Sequence, residues 1–139
     1  MTALVDTNVV LDVMLNRKPF VSDSASVIAA VERSECRGLL CATTITTIHY
    51  LARRQIGTAG SLKVIKSLLS VFEIAAVNRT VVDAALERGM PDFEDSILHE
   101  SALVSGANCI VTRNIDDFKA ATIPIYTPTQ FLQMLVSKS

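Results

Sequence analysis

The sequence predicts an α/β fold: a mainly parallel sheet of about five strands with helices on both faces. Two observations lead there. The short apolar runs Ala3–Val5, Leu39–Cys41, Phe72–Ala75, Cys109–Val111 and Pro124–Tyr126 read as strands. Between them apolar residues recur at helical spacing, and parallel neighbours are what crossover helices between successive strands produce.

Ala3-Leu4-Val5 ends at Asp6, and from Asn8 the positions Val9, Val10, Val13 and Met14 fall at helical spacing. Pro19 and Phe20 interrupt, after which Ser22 or Asp23 is placed to cap a helix through Val27, Ile28 and Val31 that stops near Gly38. The second strand, Leu39-Leu40-Cys41, follows at once. Thr43 or Thr44 then opens a helix with Ile45, Ile48, Leu51 and Ala52 up to Gly57, and another runs from Gly60 or Ser61 through Leu62, Ile65 and Leu69. Phe72–Ala75 is the third strand, Asn78 the cap of a helix through Val81, Val82, Ala85 and Leu86, and Gly89 its stop. A helix from about Asp92 to Val104 leads to the strand Cys109–Val111. Pro124–Tyr126 is a short fifth strand, and Thr127-Pro128 opens the last helix with a cap followed by proline.

A chain of 139 residues, half of them hydrophobic, fits one domain over residues 1–139 and can bury a core unaided. It contains no repeat, low-complexity tract or Pro/Gly/Ser-rich linker. Only Ser137, Lys138 and Ser139 are expected to fray. Cys36, Cys41 and Cys109 are an odd set without CxxC spacing, as expected of free thiols in a reducing cytoplasm. No apolar stretch approaches the roughly 20 residues that span a bilayer, and no secretory leader pattern opens the chain. The expectation is a cytoplasmic protein with no membrane partner.

The net charge of −1 gives no bulk attraction for nucleic acid. Its distribution is more informative: Asp92, Glu94, Asp95, Glu100, Asp116 and Asp117 cluster, while Arg17-Lys18, Arg53-Arg54, Lys63 and Lys66 lie elsewhere. That split suits a metal pocket rimmed by phosphate contacts; the bland alternative is an ordinary mixed surface.

Parallel sheets bind ligands beyond the carboxyl ends of their strands. Asp6 follows the first strand, Asn114 and Asp117 follow the fourth, and Asp92 and Asp95 begin the helix leading into the fourth. These groups converge if the first and fourth strands are neighbours. On a helix Asp92, Asp95 and His99 share one face within about 60°, whereas Glu94 points roughly the opposite way and is expected to be solvated. His99 is expected to be a histidine of the helix surface. Crowded carboxylates repel unless a hard cation such as Mg²⁺ or Mn²⁺ neutralises them. Such ions activate water for attack on phosphorus and stabilise the leaving oxygen, which is nuclease chemistry. Zinc is disfavoured, since His49 and His99 are the only histidines and no Cys/His ligand spacing occurs. Each acid also has a structural reading: Asp6 as an N-cap, Asp92 with Asp95 as a capping pair, Asp116-Asp117 as a polar turn.

On these residues the sequence resembles the PIN-domain family nearly end to end. Leu4-Val5-Asp6-Thr7-Asn8-Val9-Val10-Leu11-Asp12 is similar to the family's first-strand signature. Asp92-Phe93-Glu94-Asp95-Ser96-Ile97 and Thr112-Arg113-Asn114-Ile115-Asp116-Asp117-Phe118 are similar to its second half. The resemblance implies a three-layer sandwich around a parallel sheet and a Mg²⁺- or Mn²⁺-dependent ribonuclease site. In many similar bacterial proteins, related to the VapC group, the domain is the toxin of a toxin-antitoxin pair, dimerises and is inhibited by a small antitoxin. By position Asp6 and Asp95 match the metal-binding acids, with Asn114 and Asp117 at the acidic end of the fourth strand. One departure stands out: Thr47 occupies the place of the usual Glu, and no acid lies between Glu35 and Glu73. Asp92 is the expected substitute.

The resulting expectation is an endoribonuclease with Asp6, Asp92, Asp95, Asn114 and Asp117 at the catalytic centre, Asp6, Asp95 and Asp117 holding the metal, and Arg113, Arg17 or Lys18 on the RNA backbone. Expected partners are RNA, an antitoxin protein and a second copy of the chain. The alternative is a catalytically impaired PIN domain acting as an RNA- or protein-binding module, favoured by Thr47. A phosphotransferase with Asp6 as nucleophile is disfavoured by Asn8, where that chemistry wants a second Asp.

Overall fold

The structure, a computed structural model, describes residues 1–138. In chain order it contains β1 (Thr2–Val5), α1 (Thr7–Met14), α2 (Val21–Glu32), β2 (Arg37–Cys41), α3 (Ala42–Leu69), β3 (Glu73–Ala75), α4 (Arg79–Arg88), α5 (Phe93–Val104), β4 (Cys109–Val111), a 3-10 helix (Ile115–Phe118), β5 (Ile125–Tyr126) and α6 (Pro128–Lys138). The five strands form one sheet in the order β3-β2-β1-β4-β5, with every pair parallel. The chain builds outward from β1 through β2 to β3, then returns to place β4 on the other side of β1. The strand order therefore reverses between β1 and β4, where a crevice opens in sheets of this kind.

Alternation along the strands divides the interior into two cores, because successive strand side chains point to opposite faces. Ala3, Val5, Leu40, Cys109 and Val111 pack on one face with Val9, Val10, Val27, Ile48 and Phe131 from α1, α2, α3 and α6. Leu4, Leu39, Cys41 and Ile110 pack on the other with Val81, Ala85, Ile97, Leu98 and Ala102 from α4 and α5. The expected three layers and two helical faces are present. Among the described residues no helix is long and apolar enough to cross a membrane. All three cysteines are free and buried.

Several local expectations are corrected. Neither Ser22 nor Asp23 caps α2; both lie inside its first turn, and Phe20 precedes the helix without a side-chain cap. The stop of α2 is Arg33 and the positive-φ Ser34, not Gly38, which lies in β2. Thr43 and Thr44 are likewise internal to α3, with Cys41 at its cap position. The two helices expected around Gly57 are present as the arms of α3, separated where that glycine takes φ 77° and ψ 167°. Ser137 and Lys138 continue α6 instead of fraying, and Ser139 lies outside the described residues. Asn78 caps α4 by accepting from the Val81 amide at 3.1 Å, and Gly89 ends it in the left-handed region, both as expected.

Gly38 shows how tightly α2 sits on the sheet. A Cβ at this position would meet Val31 Cγ1 at 2.7 Å and the Phe72 ring at 2.8 Å. Gly38→Ala is expected to destabilise the fold by about 1–3 kcal/mol through overpacking. The measurement is a urea transition whose midpoint falls with unchanged slope; a midpoint equal to the parent's would refute the packing argument.

Candidate active site

Asp6 stands at the carboxyl end of β1, where its backbone N–H continues the ladder by donating to the Val111 carbonyl of β4 at 2.9 Å. Its side chain is almost fully enclosed, at 7% exposure. Oδ1 accepts from the Thr7 N–H at 2.7 Å, so Asp6 does cap α1 as its structural reading proposed. Oδ2 accepts from the Thr112 hydroxyl at 2.7 Å and from the Asn8 side-chain amide at 3.2 Å. Capping and site formation thus use different oxygens of one carboxylate. Burial pushes the Asp6 carboxyl above its ordinary range; the Thr112 and Thr7 bonds oppose that rise, and the charges of Glu94 and Asp117 add to it.

Asp95, in the first turn of α5, faces the same space. Burial raises its carboxyl to about 7, with further increments from Asp6, Asp92, Asp117 and Glu94. Asp92 caps α5 through Oδ1, accepting from the Glu94 N–H at 2.8 Å, not from Asp95. It is exposed and acts on Asp95 by its charge. Asp117 is exposed on the 3-10 helix, and its N–H donates to the Asn114 carbonyl at 3.0 Å. Asn114 in turn donates its own N–H to Thr112 Oγ1 at 3.1 Å, so the turn after β4 is tied to the group that holds Asp6.

The arrangement differs from expectation at three residues. Glu94 is exposed as expected, but its charge bears on Asp6 and Asp95, and its Oε1 accepts from the Thr47 hydroxyl at 3.5 Å. At a helix start a long flexible side chain can fold back over the N-terminus, so angular position on the wheel does not fix its direction. Glu94, not Asp92, therefore stands opposite Thr47. His99 is not a surface residue: it is fully buried, Nε2 accepts from the Thr122 N–H at 3.0 Å, and Nδ1 lies 2.9 Å from Glu100 Oε2. Arg113 is committed elsewhere, its Nε donating to buried Asp12 at 2.6 Å and its guanidinium lying 4.0 Å from the Phe20 ring centroid. Thr112, the residue that orients Asp6, opens the segment that resembles the family's second half but is not among the expected site residues, because its bond to Asp6 depends on the pairing of β1 with β4.

The donor set is all oxygen, which suits a hard divalent cation. Among the described residues no three His, Cys, Asp or Glu side chains form a preassembled ligand group, so the three-aspartate set is not in place as a rigid cage. Mg²⁺ fits such an open site, since it keeps several waters and takes only one or two carboxylates directly.

The raised Asp95 pKa has a definite sign in stability. Between its ordinary 3.8 and about 7, the folded metal-free protein holds a proton that the unfolded chain has released. That contribution is complete at acid pH and is lost as pH rises through about 7. The Tm of metal-free protein is expected to fall between about pH 4 and pH 7, and Asp95→Asn to flatten the decline. Added Mg²⁺ should raise Tm more at the alkaline end, because its ligands must be ionised. A decline identical in Asp95→Asn would contradict the assignment.

A family model described as the PIN domain matches residues 2–116. Among curated proteins no relative matches. The fold is shared with solved structures at low identity. VapBC2 from Rickettsia felis, bound to a DNA fragment from its promoter, superposes with TM-score 0.71 at 13% identity, covering 91% of this chain and 98% of that one. VapBC-1 from nontypeable Haemophilus influenzae gives 0.68 at 18%, covering 93% and 99%. A toxin-antitoxin complex from Klebsiella pneumoniae gives 0.69 at 20%, covering 91% and 97%. With a family model spanning most of its length and the carboxylates gathered at the β1–β4 crevice, the chain belongs to the PIN domain family.

Proposed function

We propose that this protein is a Mg²⁺- or Mn²⁺-dependent endoribonuclease, the toxin of a toxin-antitoxin pair. The observation that carries the chemistry is the gathering of Asp6, Asp95, Asp117 and Glu94 at one crevice, where burial raises Asp95 to about 7 and the charges of Asp6, Asp92, Asp117 and Glu94 add to the rise. A fold has no use for mutually repelling acids unless something neutralises them. The toxin assignment is supported by the shared fold of proteins solved as toxin-antitoxin complexes. On that reading the partners are RNA, an antitoxin and a second copy, and the compartment is the cytoplasm.

Asp6 and Asp95 would hold the cation, with Asp117 as a further ligand directly or through water. When bound, such an ion lowers the pKa of water and offsets charge at phosphorus. The chain's own part is positioning. Thr112 and Asn8 fix the Asp6 carboxylate through hydrogen bonds of 2.7 and 3.2 Å, so it does not reorganise during reaction. Asn114 holds the Asp117 turn through its backbone. Asp92 supports the start of α5 and adds negative charge beside Asp95. Glu94 supplies a carboxylate at the corner where Thr47 offers only a hydroxyl.

A second reading has its own observation. The single proton of the Thr47 hydroxyl has a shorter acceptor than Glu94 in the Thr43 carbonyl of its own helix, at 3.2 Å, as a structural threonine does, which favours a catalytically impaired domain that binds without cutting. Cleavage of structured and single-stranded RNAs with Mg²⁺, Mn²⁺ or chelator decides between them. Metal-dependent cutting is expected, abolished in Asp6→Asn/Asp95→Asn and reduced about 10–100-fold in Thr112→Val and Glu94→Gln, the usual effect of losing a supporting partner. A folded parent that binds metal or RNA but cuts nothing would establish the binding module instead.

A further inference from the structure

Arg33, Arg37, Arg79, Arg88 and Arg113 each pair with a carboxylate. Among the described residues Arg17, Arg53 and Arg54 are in no such pair, and of these Arg17 is half-buried while Arg53 and Arg54 are exposed. Both guanidinium groups lie against the ring of Tyr50, their carbons 5.3 and 4.8 Å from its centroid, and Arg54 Nη2 donates to the Tyr50 hydroxyl at 2.8 Å. Tyr50 is exposed as well. No acid on α3 offsets them, because none occurs between Glu35 and Glu73.

The position of this group along α3 gives it meaning. Thr47 faces Glu94 at the acidic crevice. Arg54 lies seven residues later, within about 20° of the same direction after two turns and about 10 Å further along the axis. A polyanion entering a crevice lined by carboxylates needs a cationic anchor outside it, and Arg113 is unsuited because it is held by Asp12. Guanidinium forks match phosphate oxygens in pairs, and groups already resting on a ring lose less freedom on binding. Aromatic and guanidinium planes also accept unpaired bases, which a duplex does not present.

We propose that Tyr50, Arg53 and Arg54 form a platform for single-stranded RNA, gripping its phosphates on α3 as the strand passes into the carboxylate crevice. The proposal deepens the nuclease reading and rests on it for the direction of the strand. Arg53→Gln/Arg54→Gln changes two surface side chains, and circular dichroism verifies that the variant is folded.

The test uses the full chain carrying Asp6→Asn, titrated into a fluorescent single-stranded RNA over a range of salt, with and without Arg53→Gln/Arg54→Gln. Lys63→Gln/Lys66→Gln, on the other arm of α3, serves as the comparison. The arginine pair is expected to weaken binding roughly tenfold and to reduce the salt slope by about 1.4, two single-strand phosphate contacts at ~0.7 each. The lysine pair should leave both nearly unchanged. In the chain with Asp6 intact, the arginine pair should raise KM for cleavage. Unchanged affinity, slope and KM overturn the platform while leaving the nuclease standing. A parent that binds RNA through the arginines but never cuts it preserves the platform and removes the nuclease. Normal RNA binding with weakened self-association in sedimentation overturns the proposal and assigns the face to a second copy.

Discussion

The hydrogen bond from Thr112 to Asp6 joins the ends of two strands 106 residues apart in sequence, and sheet topology and chemistry meet there. It exists because β1 and β4 pair in parallel with Val5 opposite Val111. A slip of one residue would turn Val111 and Thr112 to the wrong faces. The same pairing brings the 3-10 helix with Asp117 over the crevice, and Asn114 reaches back to Thr112. Asp6 can then sit buried beside other acids because three donors compensate it, a condition that a buried carboxylate must meet.

Beneath the crevice lies a second polar layer of different character. His99 joins α5 to the segment after the 3-10 helix through Thr122, and Glu100 bridges His99 and Arg88. Burial lowers the His99 pKa despite the neighbouring Glu100, so the ring is a neutral acceptor for the Thr122 amide near neutral pH. The site thus combines charges that oppose one another with a saturated network that holds their supports still. Such an arrangement sacrifices some stability of the fold to keep acids together at the crevice.

The sequence made the larger features legible because they have periodic or positional signatures. Strand alternation, the cap at Asn78 and the stop at Gly89 each follow from one local rule. The placement of Asp6 at the end of β1 and of Asp95 at the start of α5 was readable because strand ends and helix starts have predictable places in a parallel sheet. What escaped depended on three-dimensional detail. Ser22, Asp23, Thr43 and Thr44 all have capping chemistry, yet the helices begin earlier, as packing of the preceding residues decides. Gly38 resembled a helix stop but is needed for close approach by Val31 and Phe72. Glu94 was misdirected because a helical wheel describes Cβ directions, not the reach of a long side chain. His99 was misplaced because burial of a histidine depends on partners such as Thr122 that lie far along the chain.

The order in which the strands enter the sheet has a consequence for synthesis. A chain emerging from the ribosome can assemble β1, β2 and β3 early, since these are neighbours in sequence and in space. The central place beside β1 stays empty until β4 arrives. At about 5–20 residues per second, the 106-residue step from Asp6 to Thr112 takes roughly 5–20 s to make. Throughout that interval Asp6 lacks its Thr112 donor and Asp117 has not been made. The hydrogen bond that holds Asp6, and with it the β1–β4 crevice, can therefore form only after β4 has been made.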